Sequence, residues 1–355
     1  MKDLNIAIIV PSLINRGPVL VVKDIVEQLT GRVGKLVVFY LDDIPAELIF
    51  DCQVQRLIIK NATKQLRSFN IIHTHMLRPN LLVAFLPLKS ATKIATLHNY
   101  IYDDVSNSHN RFVAKIIQFI WVLFLKKYDI VVCLTNHMKK YYECLGLKDS
   151  KIDVIYNGRP KIESVTIGDI DAEDNNNLIN FKSQYFSLGV SAMLTPRKGI
   201  DQLISALPYT PKVGLIILGD GPEKDKLITL AQILGVTNQC LFLGYKQKAN
   251  RYFKYFDGFA MPSYSEGFPL AFIEATSFGL PILVSDLPIF REITHKDEVI
   301  FVRLNDVNSM TDAIHNLIKN RNNLSKMSYM AFTSRFDSVI MGNKYLKLFL
   351  DTKTT

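Results

Sequence analysis

The 355-residue sequence predicts an α/β protein built from two doubly wound domains, and three observations carry that expectation. Short apolar runs alternate with helical patterns along the chain. Several runs are apolar and β-branched at nearly every position, as strands covered on both faces of a parallel sheet are. A polar, acidic, Asn-rich stretch interrupts the alternation near the middle, and the length itself favours two domains over one.

Taken in order, the first half offers "NIAIIV", "KLVVFY", "RLIIK", "NIIHTH", "KIATLH", "DIVVCLT" and "KIDVIYNG" as strands. Between them "VVKDIVEQL" and "RFVAKIIQFIWVLFLKK" read as crossover helices. The opening "MKDLNIAIIVPSL" reads as a buried first strand rather than a secretory leader, because Asp3 and Pro11 interrupt it and no small-residue cleavage site comes after it. The stretch "ESVTIGDIDAEDNNNLIN" has no usable periodicity and reads as a linker. The second half repeats the theme with "FSLGVSAML", "VGLIILGDG", "CLFLGY", "GFAMPS", "PILVSD" and "VIFVRL". The expected organisation is therefore a first domain over 1–165, a linker over 166–178 and a second domain over 179–335. A C-terminal helix over 336–355 is expected to pack back on the first domain. Ligands of such sheets bind outside the carboxyl ends of the strands, so the expected site is a central cleft that both domains face.

The net charge is +9, and up to Arg159 the chain holds 21 Lys/Arg against 13 Asp/Glu, while the remainder holds 21 against 20. The excess in the first half either keeps a face soluble or meets something anionic. No nucleic-acid-binding motif accompanies it, so a nucleic-acid partner is not expected; an anionic membrane surface stays open. Four cysteines without a C-x-x-C spacing point to a reduced, cytoplasmic protein and away from a structural metal. No segment reaches the roughly 20 apolar residues that span a bilayer. The nearest approach is the helix over 111–127, whose longest uncharged run, Ile116 to Leu125, has ten residues. It is either largely buried in its own domain or lies in a membrane interface with its lysines at the headgroups.

The densest chemical pattern is "PSYSEGFPLAFIEATSFGLP". Pro269 suits the start of a helix running through "LAFIEATSF" and stopping at Gly279. Glu266 then sits in the loop at the helix mouth, and Glu274 lies roughly 7–8 Å further along the axis. N–H groups at such a mouth favour an anion. The alternative is that Glu266 complements the helix dipole and Glu274 is a solvated helix residue; spacing alone leaves both open. Arg197 and Lys198 in "MLTPRKGID" come directly after a strand, a position from which two cations hold a diphosphate. "LGDGPEKDKL" lacks the third glycine of a dinucleotide fingerprint.

In order and spacing, "RKGID", "ILGDGPEKDKL", "FLGY", "PSYSEGFPLAFIEA" and "GLPILVSD" resemble the retaining glycosyltransferases of family 4, which have the GT-B fold of two Rossmann-like domains. The likeness is dense from Phe186 to Ile293 and looser through "IIHTH", "TLHN" and "VIYNG" in the first half. The resemblance implies that Glu266 and Glu274, the two acids of an E-x7-E motif, contact the donor sugar and the nucleotide ribose. It also implies that Arg197 and Lys198 hold the donor diphosphate, helped by Gly267, Phe268, Pro269 and Leu270 at the helix mouth, and that His98 lies near the donor sugar. In place of the family's paired glycines after the first strand, only Gly17 is present, next to Pro18, which has no N–H; Arg16 is a substitute. His73 and His75 are expected to be structural or to line the acceptor side rather than to bind metal. "DID" at Asp169–Asp171 matches a metal-binding D-x-D pattern but falls in the expected linker.

The resemblance further implies a retaining transferase that moves a hexose or N-acetylhexosamine from a nucleotide-diphosphate sugar, UDP as the default base, without a metal or other cofactor. The acceptor expected is a saccharide, polyprenyl-diphosphate-linked, in surface polysaccharide or lipopolysaccharide assembly. The location expected is cytoplasmic, peripheral at the inner membrane face. The competing readings are a non-catalytic nucleotide-sugar-binding component of an assembly complex and a two-carboxylate glycoside hydrolase.

Overall fold

Strand β1 (Asn5–Val10) is buried at five of its six positions because parallel neighbours flank it on both edges. The computed structural model that places it describes residues 3–106, 110–162 and 170–352. The chain divides into two units, Met1–Pro160 with Phe336–Thr355, and Lys161–Arg335.

In the first unit β2 (Lys35–Tyr40), β3 (Gln53–Arg56), β4 (Ile71–His75), β5 (Thr92–Leu97), β6 (Ile130–Cys133) and β7 (Ile152–Val154) complete a seven-stranded parallel sheet in the order β3-β2-β1-β4-β5-β6-β7. The helices are α1 (Gly17–Leu29), α2 (Ala62–Leu66), α3 (Leu77–Phe85), α4 (Ile101–Ser106), α5 (Arg111–Leu125) and α6 (Asn136–Cys144). The second unit starts with α7 (Ala172–Gln184), and its six parallel strands are β8 (Phe186–Ser191), β9 (Val213–Leu218), β10 (Cys240–Gly244), β11 (Gly258–Met261), β12 (Ile282–Ser285) and β13 (Ile300–Val302). Their order is β10-β9-β8-β11-β12-β13. Its further helices are α8 (Ile200–Ala206), α9 (Lys224–Ile233), α10 (Leu270–Ser277), α11 (Pro288–Ile293), α12 (Val307–Lys319) and α13 (Arg321–Ala331). In each sheet the order grows outward from the first strand and then reverses beside it, the Rossmann-like pattern. The reversal opens a crevice at the carboxyl ends of β1 and β4 in one unit, and of β8 and β11 in the other.

The last helix, α14 (Ser338–Asp351), belongs to the first unit. It lies so close to α1 that a Cβ added at Gly342 would meet the Gln28 Cβ at 2.3 Å. Where the chain leaves and re-enters this unit, the Arg159 N–H donates to the Phe336 carbonyl at 2.9 Å and the Ser338 N–H to the Arg159 carbonyl at 2.9 Å. The Arg159 guanidinium pairs with Asp24 of α1, and both residues are buried.

Three expectations are corrected. The linker reading of 166–178 fails from residue 172 onward: Asp171 caps α7 by accepting from the Glu173 N–H at 2.8 Å, and Asp174, Leu178 and Phe181 form its buried stripe. A helix with an aspartate in its inward row hides its period. Asp174 is tolerated there because Lys246 pairs with it and the Tyr252 hydroxyl donates to it at 2.6 Å. Asp169 of the D-x-D pattern lies outside the described residues, and the Asp171 carboxylate is committed to the helix cap. The third strand is Gln53–Arg56 rather than "RLIIK": it is an exposed edge strand, and Ile58 and Ile59 leave the sheet as exposed turn residues. Finally, α5 is not largely buried; only Ala114, Trp121, Val122 and Leu125 are.

Asp24→Ala would remove the carboxylate that pairs with a buried guanidinium, so the first unit should lose up to about 3–5 kcal/mol of stability, measured as a lowered denaturant midpoint for its unfolding transition.

Candidate active site

After β8 the chain turns through Pro196–Lys198, and Gly199 takes a left-handed conformation at φ 61°. A Cβ there would meet the Pro262 carbonyl oxygen at 2.3 Å, so sterics and backbone angle both require glycine. This close approach sets the loop after β8 against the loop after β11, across the crevice of the second unit.

The two loops meet in an ion cluster. Lys198 Nζ lies 2.6 Å from Glu266 Oε1, and Arg197 Nη1 lies 3.5 Å from Glu266 Oε2. The Glu266 side chain is 6% exposed, Lys198 14% and Arg197 41%, so the glutamate is sunk and the guanidinium reaches solvent. The guanidinium also donates to the Ser265 carbonyl, and the Tyr264 N–H donates to the Arg197 carbonyl at 2.8 Å. Attraction between sunken Glu266 and Lys198 is less screened than at the surface, whereas the Arg197 contact is open to solvent. Two cations share one carboxylate, which leaves a surplus positive charge, the condition for accepting an anion.

A layer behind the cluster holds it in place. Buried Gln202 donates from Nε2 to the Pro262 carbonyl at 3.4 Å, and its Oε1 accepts the Asn305 N–H at 2.6 Å. The Tyr264 hydroxyl donates to Asn305 Oδ1 at 2.6 Å. Asn305 is left-handed (φ 59°), a conformation asparagine tolerates. A small recess between the strand ends is lined by Ser191, Ala192, Lys198, Pro262 and Ser263. The Ser263 hydroxyl is buried there without a hydrogen-bond partner, while its carbonyl accepts from Ser285 Oγ at 2.6 Å. Gln202, Ser263, Tyr264 and Asn305 escaped the sequence reading. Ser263 and Tyr264 sit inside the quoted motif, whereas nothing in the sequence ties Gln202 to Asn305.

The helix after Glu266 is α10, and Pro269 is its capping residue rather than its first helical one, a shift of one position from the expectation. Gly267 and Leu270 are half-buried, and Phe268 and Pro269 are buried. Pro269 has no N–H to offer at this mouth. Glu274 is half-buried in the second turn.

In the first unit the strand ends carry histidines. His98 comes just after β5, and its Nε2 lies 2.9 Å from His75 Nδ1, one nitrogen donating and the other accepting according to tautomer. His73 Nε2 lies 2.7 Å from Thr96 Oγ1, which in turn meets the Tyr345 hydroxyl at 3.1 Å. His73 and His75 are fully buried, with His73 packed against Tyr345 and Phe349, so the acceptor-lining alternative is corrected: both are interior residues. Burial, aided by the neighbouring His98, pulls the His73 pKa down to about 3. Burial also lowers His98 to about 4 and holds His75 well below its usual range, so all three imidazoles are neutral near pH 7. Met76, directly after β4, adopts φ 70°, a strained angle that costs roughly 1–3 kcal/mol and is typical of functional strand ends. Gly17 is the first residue of α1, with Pro18 beside it and exposed Arg16 at the cap. Among the described residues no group of three His, Cys, Asp or Glu side chains is arranged to hold a metal ion.

Two Rossmann-like units, one presenting a cationic cluster at its switch point, define the architecture of GT-B glycosyltransferases, and comparison with known proteins agrees. The family model described as glycosyl transferases group 1 matches residues 171–333, and that described as Glycosyltransferase Family 4 matches 21–160. The Escherichia coli O-antigen biosynthesis glycosyltransferase WclY is 31% identical over 96% of this chain and 97% of its own length. An Escherichia coli UDP-Gal:alpha-D-GlcNAc-diphosphoundecaprenol alpha-1,3-galactosyltransferase is 24% identical over 80% of this chain and 76% of its own. Anabaena Alr3699/HepE, solved with UDP and glucose, shares the fold at a TM-score of 0.79, with 18% identity over 97% of this chain and 99% of that one. The chain belongs to the group 1 glycosyltransferases.

Acid should weaken the first unit. The unfolded chain binds protons at its histidines from about pH 6.5 downward, while folded His73 and His98 stay neutral until about 3 and 4. Their contribution is therefore complete above pH 6.5 and is lost as pH falls towards 4, by at most about 1.4 kcal/mol per pH unit per histidine. His73 is the cleaner reporter because His98 keeps part of its surface exposed. Denaturant titrations between pH 7.5 and 5 should show this slope, and His73→Gln should flatten it.

Proposed function

We propose that the chain is a retaining glycosyltransferase that moves a hexose or N-acetylhexosamine from a nucleotide-diphosphate sugar, UDP-linked, to a saccharide carried on a polyprenyl diphosphate in surface polysaccharide assembly. The observation that carries this reading is the Arg197–Lys198–Glu266 cluster at the carboxyl ends of β8 and β11. The names of the O-antigen and galactosyltransferase relatives, and the UDP in the solved neighbour, support the donor and acceptor classes.

Breaking the bond between sugar and diphosphate develops negative charge on the leaving group and positive character at the anomeric carbon. In this proposal the leaving diphosphate takes the surplus charge of the cluster: the Arg197 fork suits its oxygens, and Lys198 acts as a point charge. Their charges stand where a metal would otherwise serve, so chelators should leave turnover unchanged. The Ser263 hydroxyl, the loop N–H groups of Gly267 and Phe268 and the Leu270 N–H at the start of α10 add neutral donors. Glu266, freed from part of its pairing, accepts hydroxyls of the sugar, and Glu274 accepts from the ribose. Neutral His98 contributes a hydrogen bond without adding charge near the cationic carbon. For retention, the acceptor attacks on the leaving-group face and its proton passes to a departing phosphate oxygen. In location, the protein works on the cytoplasmic side, peripheral to the membrane that carries the acceptor.

Removing one preorganised contact to developing charge costs on the order of 100- to 1000-fold. Lys198→Ala and Glu266→Gln should each lower turnover by at least about tenfold, measured at a temperature where circular dichroism shows the variant folded; near-normal turnover removes that residue from the site. In a screen of nucleotide sugars without acceptor, slow release of UDP from one UDP-hexose or UDP-N-acetylhexosamine is expected. Binding without release from any donor would favour a non-catalytic component, and release from simple glycosides would favour a hydrolase.

A further inference from the structure

The outer face of α5 in the first unit is apolar. Phe112 is 72% exposed, Ile116 44%, Phe119 66%, Ile120 42% and Leu123 44%. At 3.6 residues per turn these five fall within an arc of roughly 100°, opposite the core-facing Ala114, Trp121 and Leu125. Exposed Arg111, Lys115 and Lys126 line one margin of the arc, exposed Lys127 closes its C-terminal end, and the helix contains no Asp or Glu. The patch continues onto the end of α3, where Phe85 is 60% exposed, packs edge-on against Phe124 at 5.1 Å and carries the Lys127 ammonium 4.1 Å above its ring.

Charge across the chain points the same way. The first unit holds 24 Lys/Arg against 15 Asp/Glu, so it carries the whole +9; the second holds 18 against 18. Contiguous exposed apolar surface marks an interaction site, and this one combines large apolar side chains with a purely cationic margin. A second copy of the chain is a poor occupant, because a two-fold contact would set basic margins against each other with no acid on the helix to pair them. A spanning role is excluded by length: 15 residues fall short of the roughly 20 required, and no described helix is long and apolar enough to cross a membrane. An anionic lipid surface satisfies both features, apolar side chains entering the acyl boundary while lysine and arginine stems carry their charges to headgroup phosphates.

We infer that α5, with Phe85, is an in-plane docking surface for an anionic bilayer. This deepens the proposed lipid-linked acceptor and takes its purpose from that reading, but the binding itself needs neither donor nor acceptor.

The test is sedimentation of the full chain, at low salt and without sugar nucleotide, with vesicles of equal parts phosphatidylcholine and phosphatidylglycerol, against phosphatidylcholine alone. The chain should partition to the anionic vesicles, and Phe112→Ser/Phe119→Ser/Leu123→Ser should weaken this by at least about tenfold. Lys115→Glu/Lys126→Glu, confined to exposed positions, should bring anionic binding down to the zwitterionic level. Both variants should keep wild-type donor hydrolysis. A wild type that ignores anionic vesicles overturns the inference, as does a serine or charge variant that binds like wild type. An α5-dependent dimer by light scattering, with no vesicle binding, also overturns it and assigns the face to a second copy. Vesicle binding without any transfer would leave the docking surface standing and defeat the transferase reading instead.

Discussion

The sharing of one sunken carboxylate by two cations is the interaction on which the functional unit depends. Glu266 is nearly inaccessible, and a lone charge in that position would carry a large desolvation cost. Lys198 at 2.6 Å offsets it, and Arg197 adds a second, more exposed contact. The imbalance of two cations to one anion joins packing to chemistry: the cluster is paired enough to stand in a folded protein and still carries a surplus charge, which the proposed function assigns to a diphosphate. Holding that charge in place before a ligand arrives is what electrostatic catalysis requires, since nothing then reorganises as the bond breaks.

The scaffold makes the cluster possible by topology. In the second unit the strand order reverses between β8 and β11, so two loops far apart in sequence emerge side by side. Gly199 lets them approach to backbone contact, and Gln202, Tyr264 and Asn305 tie them to the segment after β13. The first unit uses the same reversal for a different purpose. Its strand ends carry neutral, desolvated histidines, a strained Met76 and two more exposed ion pairs, Arg78–Asp42 and Arg56–Asp43, each at 2.7 Å. The split in chemistry matches the split in net charge, a neutral second unit with a focused cationic site and a basic first unit with a dispersed field.

Much of this was legible in the sequence, for physical reasons. Parallel strands covered on both faces are mostly apolar, so the central strands announce themselves and even the half-buried edge strands keep an apolar run; β3, exposed at all four positions of a sheet edge, has no such constraint. Arg197, Lys198 and Glu266 stand out by resemblance to a family motif, since spacing alone leaves a solvated or helix-capping role open; that their two loops meet follows from the strand order. What escaped were contacts between distant segments, such as Gln202 with Asn305, and local elements whose inward row is polar. Helix α7 hid behind Asp174, whose burial only its partners Tyr252 and Lys246 explain. For α5 the sequence leaves two readings open, buried or interfacial, because an apolar helix in sequence does not say which side the core takes.

The central claim is that Lys198 holds the diphosphate rather than merely pairing with Glu266, and calorimetric titration of UDP and UMP into wild type and Lys198→Met tests it most directly. The account predicts that wild type prefers UDP and that the variant loses about tenfold or more of that preference, some 1.4 kcal/mol, while UMP affinity changes little. An unchanged ratio of the two affinities would contradict it.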